Sequence, residues 1–207
     1  MAKQREDFRQ DHWNKIFETK DTTKVLWHEK EPKHSLKLIK SLRVNQDDAI
    51  IDVGCGTSLL VDRLLAENYS NITLLDTSSK ALDIVKQRID NRSINYLCQD
   101  LLSLNQADSF DLWHDRALFH FLLTIDEQKD YLNILENALR KGGLALINTF
   151  NPKGPKQCAG LETLSYDEES FRALLPHGLE LVSYEPFTHI TPLNTEQAYS
   201  SFILKKL

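Results

Sequence analysis

The sequence predicts an α/β fold, a mostly parallel sheet with helices on both faces, and three observations carry that expectation. Apolar runs without alternation, AIIDVG (49–54), ITLLDTS (72–78) and INYLCQD (94–100), read as strands buried on both faces of a parallel sheet. Amphipathic segments stand between them, with apolar residues at helical spacing. Strands that alternate with helices imply right-handed crossovers, hence parallel neighbours.

The elements follow in order. After a polar, aromatic-studded start (1–34), HSLKLIKSL spaces Leu36, Ile39 and Leu42 as a short helix. The first strand, 49–54, ends in glycine, and SLLVDRLLAEN places Leu60, Leu64 and Leu65 on one helical face. The second strand, 72–78, runs into SKALDIVKQRID, which Ser78 or Ser79 can cap, and the third occupies 94–100. FDLWHD (110–115) is a fourth strand, and DEQKDYLNILENALR (126–140) a helix capped by Asp126 and closed by Gly142 and Gly143. LALINTF (144–150) is the fifth strand, followed by a loop rich in Pro, Lys and Gly (151–164). Ser165 and Glu168 have the spacing of a capping box for SYDEESFRALL. The strands near LELVSYEPF and YSSFILKKL have no helix between them and should form an antiparallel hairpin at one edge.

With 207 residues, 41% hydrophobic and 27% charged, the chain has the composition of one globular core, a single domain spanning 1–207. A net charge of −5 disfavours a nucleic-acid partner. The three cysteines, Cys55, Cys98 and Cys158, are far apart and lack metal-ligand spacing, so neither a disulfide framework nor a metal site is expected, and a cytoplasmic setting fits. MAKQREDFRQDHW has no apolar signal region, and no window suits a membrane span. Oligomeric state is not readable.

In open α/β sheets ligands bind beyond the carboxyl ends of the strands, where Asp52, Asp76, Asp100 and Asp115 fall. DVGCG places Asp52 two residues before the first glycine. A pyrophosphate at this turn would be repelled by that acid, Leu59 replaces the third glycine of a dinucleotide loop, and no P-loop lysine follows. A nicotinamide oxidoreductase is therefore disfavoured. S-adenosyl-L-methionine, with an ammonium and a sulfonium beside adenosine, suits the charge: Asp52 favours the cationic methionine end, and Gly54 and Gly56 admit close backbone approach. Asp76 is placed to accept from the ribose hydroxyls, Asp100 from the adenine amino group.

These stretches, DVGCGTS, LLDTS, CQDLLSL, FDLWHDRALFHFL and LRKGGLALINTF, resemble the class I S-adenosylmethionine-dependent methyltransferases over about residues 10–207. The resemblance implies a Rossmann-like three-layer α/β/α sandwich, its seven-stranded sheet mostly parallel with the last strand antiparallel. It implies cofactor contacts from Asp52, Gly54, Cys55, Gly56, Asp76, Thr77, Asp100 and Leu101. HWNKIFE (12–18) and VLWHE (25–29) resemble the N-terminal segment of a group that includes eukaryotic protein-lysine methyltransferases, where an aromatic segment covers the cofactor. Trp13, Phe17 and Trp27 are carried over as cofactor or lid contacts, making 1–45 a lid and 46–207 the core. Those lysine enzymes commonly have Glu/Asp-Lys-Gly-Thr after the fourth strand, whereas this chain reads Asp115-Arg116-Ala117-Leu118 and is similar to bacterial relatives.

Ionisable groups in the apolar stretch WHDRALFH make His114, Asp115, Arg116 and His120 the candidates for chemistry, with Asp115, Arg116 and His120 the catalytic set. Asp115 is placed to orient or deprotonate an amine, and His120 to act as a base. A small-molecule or protein acceptor fits equally at this level; protein-lysine methylation and cofactor binding without catalysis are the alternatives. The 151–164 loop is long enough to overhang a substrate.

Overall fold

The computed structural model describes residues 2–89 and 94–207. It begins with helices α1 (Ala2–Thr19) and α2 (Lys33–Ser41). β1 (Ile50–Val53), α3 (Leu60–Ala66), β2 (Ile72–Asp76), α4 (Ser79–Arg88) and β3 (Asn95–Cys98) follow. The second half is β4 (Phe110–Arg116), α5 (Ile125–Ala138), β5 (Leu139–Phe150), the short strands β6 (Gln157–Cys158) and β7 (Leu161–Glu162), α6 (Glu168–Arg172), β8 (Leu179–Ile190) and β9 (Glu196–Lys206).

Seven strands form one sheet in the order β3-β2-β1-β4-β5-β9-β8. β3 to β5 are parallel, while β9 runs antiparallel to both β5 and β8. The reversal between β1 and β4 is the switch point where an open sheet leaves a crevice. All four positions of β1 and all five of β2 are buried, as their unbroken apolar runs require. One apolar cluster, with Leu38, Ile39, Leu60, Leu64, Leu82 and Val85, packs α2, α3 and α4 on one face. The other, with Trp113, Phe119, Tyr131, Leu135, Phe171 and Phe202, packs α5 and α6 on the opposite face. Among the described residues no helix is long and apolar enough to cross a membrane.

Three local expectations are corrected, and one element was not read from the sequence: the chain start forms α1, which spans 18 residues. Apolar periodicity missed it because polar side chains dock it: Gln10 Nε2 donates to Thr77 O at 3.2 Å, Ser78 Oγ lies 2.8 Å from Asn14 Oδ1, and Arg9 Nε reaches Asp100 Oδ2 at 2.8 Å. Thr124 rather than Asp126 caps α5, in a reciprocal box with Glu127. Gly142 and Gly143 do not close that helix. It ends at Ala138, Leu139 pairs with Phe110, and the glycines fall inside β5, where the register with β4 shifts and Gly142 has φ 79°. Asp167 with Ser170, not Ser165 with Glu168, caps α6, because Asp167 Oδ1 accepts from Ser170 N at 2.9 Å.

Ser78 caps α4 as read, accepting from Ala81 N. The last residue expected in that helix, Asp90, lies outside the described residues. The 151–164 loop carries the β6–β7 hairpin, turned by Ala159 and Gly160 at φ 52° and 80°.

Candidate functional site

A cavity of about 1190 Å³, counting its open mouth, lies over the carboxyl ends of β1, β2 and β4. Asp52, Gly54, Cys55, Gly56, Asp76, Thr77, Asp100 and Leu101 all line it, as do Trp13, Phe17 and Trp27 from the N-terminal segment. The residues drawn from five separate stretches therefore meet in one place.

The glycine loop owes its shape to backbone conformation. Gly54 and Gly56 have φ of 62° and 51°, in the left-handed region that side chains disfavour. A Cβ on Gly54 would stand 2.6 Å from Leu118 Cδ1, and one on Gly56 3.2 Å from Phe17 Cζ. Ser58 Oγ accepts from Leu60 N at 3.1 Å, so the serine opens α3. Arg88 holds the loop from outside, donating to Thr57 O and Ser58 O at 3.1 and 2.7 Å.

Asp76 ties this loop to the next one. Its Oδ2 accepts from Gly56 N at 2.7 Å and its Oδ1 from Ser78 N at 2.8 Å. Burial pushes its carboxyl up to about 6, against those two N–H bonds and with a further push from the Asp52 charge. Asp52 Oδ1 lies 2.6 Å from His114 Nδ1, the residue beside it in the β1–β4 register. His114 Nε2 continues to Ser35 Oγ at 2.9 Å, which fixes both ring nitrogens. Asp100 Oδ1 accepts from Leu102 N at 2.8 Å, and its other oxygen takes Arg9, whose Nη1 also reaches Glu127 Oε1 at 3.2 Å. An arginine from α1 thus closes the cavity at the Asp100 end.

The aromatic segment forms a continuous wall. Trp13 meets Trp27 and Phe121 edge-on at 5.9 and 5.3 Å and tilts against Phe17 at 6.1 Å. Such contacts contribute about 0.5–1.5 kcal/mol each beyond area burial.

β4 sorts the candidate chemical residues by alternation. Successive side chains of a strand point to opposite faces, and His114 and Arg116 line the cavity while Asp115 does not. Asp115 is fully buried on the α5 side, where its Oδ2 accepts from Tyr131 OH at 2.7 Å and its Oδ1 from Leu118 N at 3.0 Å. Burial pushes it up to about 6, opposed by these hydrogen bonds. Its observed contacts shape the turn after β4, where Ala117 has φ 72°, a strained value for a residue with a Cβ. His120 is likewise outside the cavity lining. Its ring stacks on Phe150 with centroids 4.0 Å apart, and burial lowers its pKa to about 3, so it is neutral across the physiological range.

Glu29, Arg9, His28 and Cys158 line the cavity without having been singled out by the sequence for that place. Strand alternation in WHDR was the available signal that His114 and Arg116 share a face. Nothing local marked Glu29 or Arg9, whose partners lie far along the chain.

Comparisons with known proteins agree with the fold. A methyltransferase domain family matches residues 50–143. Malonyl-[acyl-carrier protein] O-methyltransferase 2 of Ilyobacter polytropus is 30% identical over 103 residues, which cover 49% of this chain and 39% of that protein. EEF1A lysine methyltransferase 2 of Homo sapiens is 22% identical over 158 residues, 68% of this chain and 67% of that one. The chain thus spans about two fifths of the length of the malonyl-[acyl-carrier protein] methyltransferase it matches. Among solved structures, an S-adenosylmethionine-dependent methyltransferase from Anabaena variabilis superposes with TM-score 0.75 at 18% identity, covering 97% of this chain and 94% of that one. A protein studied for the conversion of a disulfide bond into a thioacetal group in echinomycin biosynthesis gives TM-score 0.79 at 18% identity, with 95% and 92% covered. At such identities these likenesses show the fold, which is the class I methyltransferase sandwich. The methyltransferase domain match spans the glycine loop, β2 and β4, and together with the fold it makes the chain similar to the class I S-adenosylmethionine-dependent methyltransferases.

Proposed function

We propose that this chain binds S-adenosyl-L-methionine across the ends of β1, β2 and β3 and transfers its methyl group to an acceptor. The acceptor enters between the N-terminal segment, acting as a lid over 1–45, and the 151–164 loop. The observation that carries the reading is the convergence of Asp52, Asp76 and Asp100 on one cavity beside two left-handed glycines. Asp52, held by His114, suits the ammonium of the methionine end, and Asp76 suits the ribose hydroxyls. The bound cofactor supplies an electrophilic methyl group, for which the protein need mainly provide alignment and exclusion of water. Of the sequence-derived catalytic set, Arg116 alone stands on the cavity wall and is the residue we place at the acceptor. A cytoplasmic setting, expected from the unpaired cysteines, belongs to the same proposal.

A protein-lysine acceptor is the second reading, supported by the EEF1A lysine methyltransferase 2 match, which extends over two thirds of both chains. Calorimetry with S-adenosylmethionine and with NAD tests the cofactor: binding of NAD alone would sink the proposal. Labelled cofactor incubated with cell lysate, then split into protein and small-molecule fractions, separates the two acceptor readings. Label in neither fraction would favour a cofactor-binding protein without turnover.

The raised pKa of Asp76 gives this site a pH signature. If the ligand takes only the ionised carboxylate, S-adenosylhomocysteine affinity should be flat above about pH 7 and fall roughly tenfold by pH 5, as protonation competes below about 6. Calorimetry across that range checks it. An affinity independent of pH would remove Asp76 from contact with the ligand.

A further inference from the structure

One wall of the cavity joins Val25, Trp27, His28 and Glu29 to the end of β4 and to Cys158 in the loop after β5. Arg116 belongs to it. Nη1 donates to Trp27 O at 2.8 Å, and the guanidinium carbon lies 5.5 Å from the centre of the Tyr199 ring. Nε forms an ion pair with Glu29 Oε2 at 3.1 Å. Neither Nε nor Nη2 has a hydrogen-bonding acceptor of good geometry, although both are sealed from solvent. A buried guanidinium N–H left in that state is costly, and a guanidinium matches two oxygens at once.

The groups around it decide which ligand would satisfy it. Glu29 is the one carboxylate of this wall among the described residues, and it is already engaged with Arg116; His189 Nδ1 stands 3.7 Å away, beyond hydrogen-bond distance, on a ring whose pKa burial lowers to about 4. Burial raises its pKa, opposed by Arg116 and His114. Burial also pushes the Cys158 thiol up to about 11, so it is neutral near pH 7. An arriving ammonium would meet a fixed cation and no free carboxylate to hold it or take its proton. A carboxylate would instead give Arg116 a two-oxygen partner, with the apolar faces of Trp27 and Phe121 beside it.

We infer that the acceptor is a small molecule bearing a carboxylate, gripped by Arg116, and not the ammonium of a lysine side chain. This rests on the methyltransferase reading above. The experiment is calorimetry on the full chain saturated with S-adenosylhomocysteine, titrated with benzoate, butyrate, benzylamine and butylamine as probes. Benzoate or butyrate should bind in about the millimolar range and the amines should not. Arg116→Gln should weaken the carboxylates about tenfold or more with S-adenosylhomocysteine affinity held within about twofold. Glu29→Gln, which frees the guanidinium, should strengthen them severalfold and covers the case in which the Arg116 variant fails to fold. Binding of the amines in place of the carboxylates, absence of carboxylate binding, or equal binding by both variants would overturn the inference. Failure of S-adenosylhomocysteine to bind would instead overturn the cofactor reading beneath it.

Discussion

Asp76→Ala is expected to bind S-adenosylhomocysteine about 1.5–3 kcal/mol more weakly than the parent chain, a loss of roughly tenfold to 150-fold. The carboxylate has two tasks in the proposed complex. Toward the ligand it accepts from ribose hydroxyls; toward the protein it holds Gly56 N and Ser78 N, at 2.7 and 2.8 Å, in the two loops that frame the cavity. Alanine removes both. Stability should move differently. Because the folded pKa of Asp76, about 6, lies above the ordinary carboxylate value of 3.8, the folded state holds more protons between those values. Stability from this group is therefore fully present below about pH 4 and is lost as pH rises through 6. Removing the carboxylate should flatten that part of the stability curve while abolishing tight binding at pH 7. Thermal unfolding across pH 4–7, paired with calorimetry, reads both. A variant that melts as the parent does and binds ligand with unchanged affinity would take Asp76 out of the ribose position.

Phe119→Ala should cost about 3–5 kcal/mol of folding stability, the range for truncating a buried phenylalanine. Phe119 has no exposed surface and meets Tyr131, Tyr166 and Phe171 at centroid distances of 4.9, 5.0 and 5.3 Å, so the vacated space is walled by rings that cannot readily collapse into it. For a chain of this size the melting temperature should fall by roughly 10 °C. The effect should reach the site, because Ala117, Leu118, Phe121 and Leu122, which flank Phe119, line the cavity. Weaker S-adenosylhomocysteine binding in the folded variant is expected below its melting range. A melting temperature within a degree or two of the parent would show that the aromatic cluster does not anchor this turn.

The parallel core was legible in the sequence because its signals are local. Unbroken apolar runs such as IIDV and ITLLD can be buried on both faces only within a covered sheet. The left-handed conformations at Gly54 and Gly56 are likewise a property of residues without a Cβ, and they sit where the DVGCG pattern placed a close backbone approach. Helix starts were less legible. Thr124 and Asp167 displaced the expected caps because several polar residues crowd each start and packing selects among them.

The sequence by itself determined the fold class, the order of the parallel strands' loops and the acids at their ends, all of which follow from runs of neighbouring residues. Tertiary structure alone decided that α1 lies over the cavity, that Arg9 holds Asp100 across 91 positions of chain, and that Arg116 faces the cavity while Asp115 and His120 face the core. Those outcomes depend on which distant surfaces pack together. A charged side chain carries no local mark of whether its partner will be a ligand or another part of the chain.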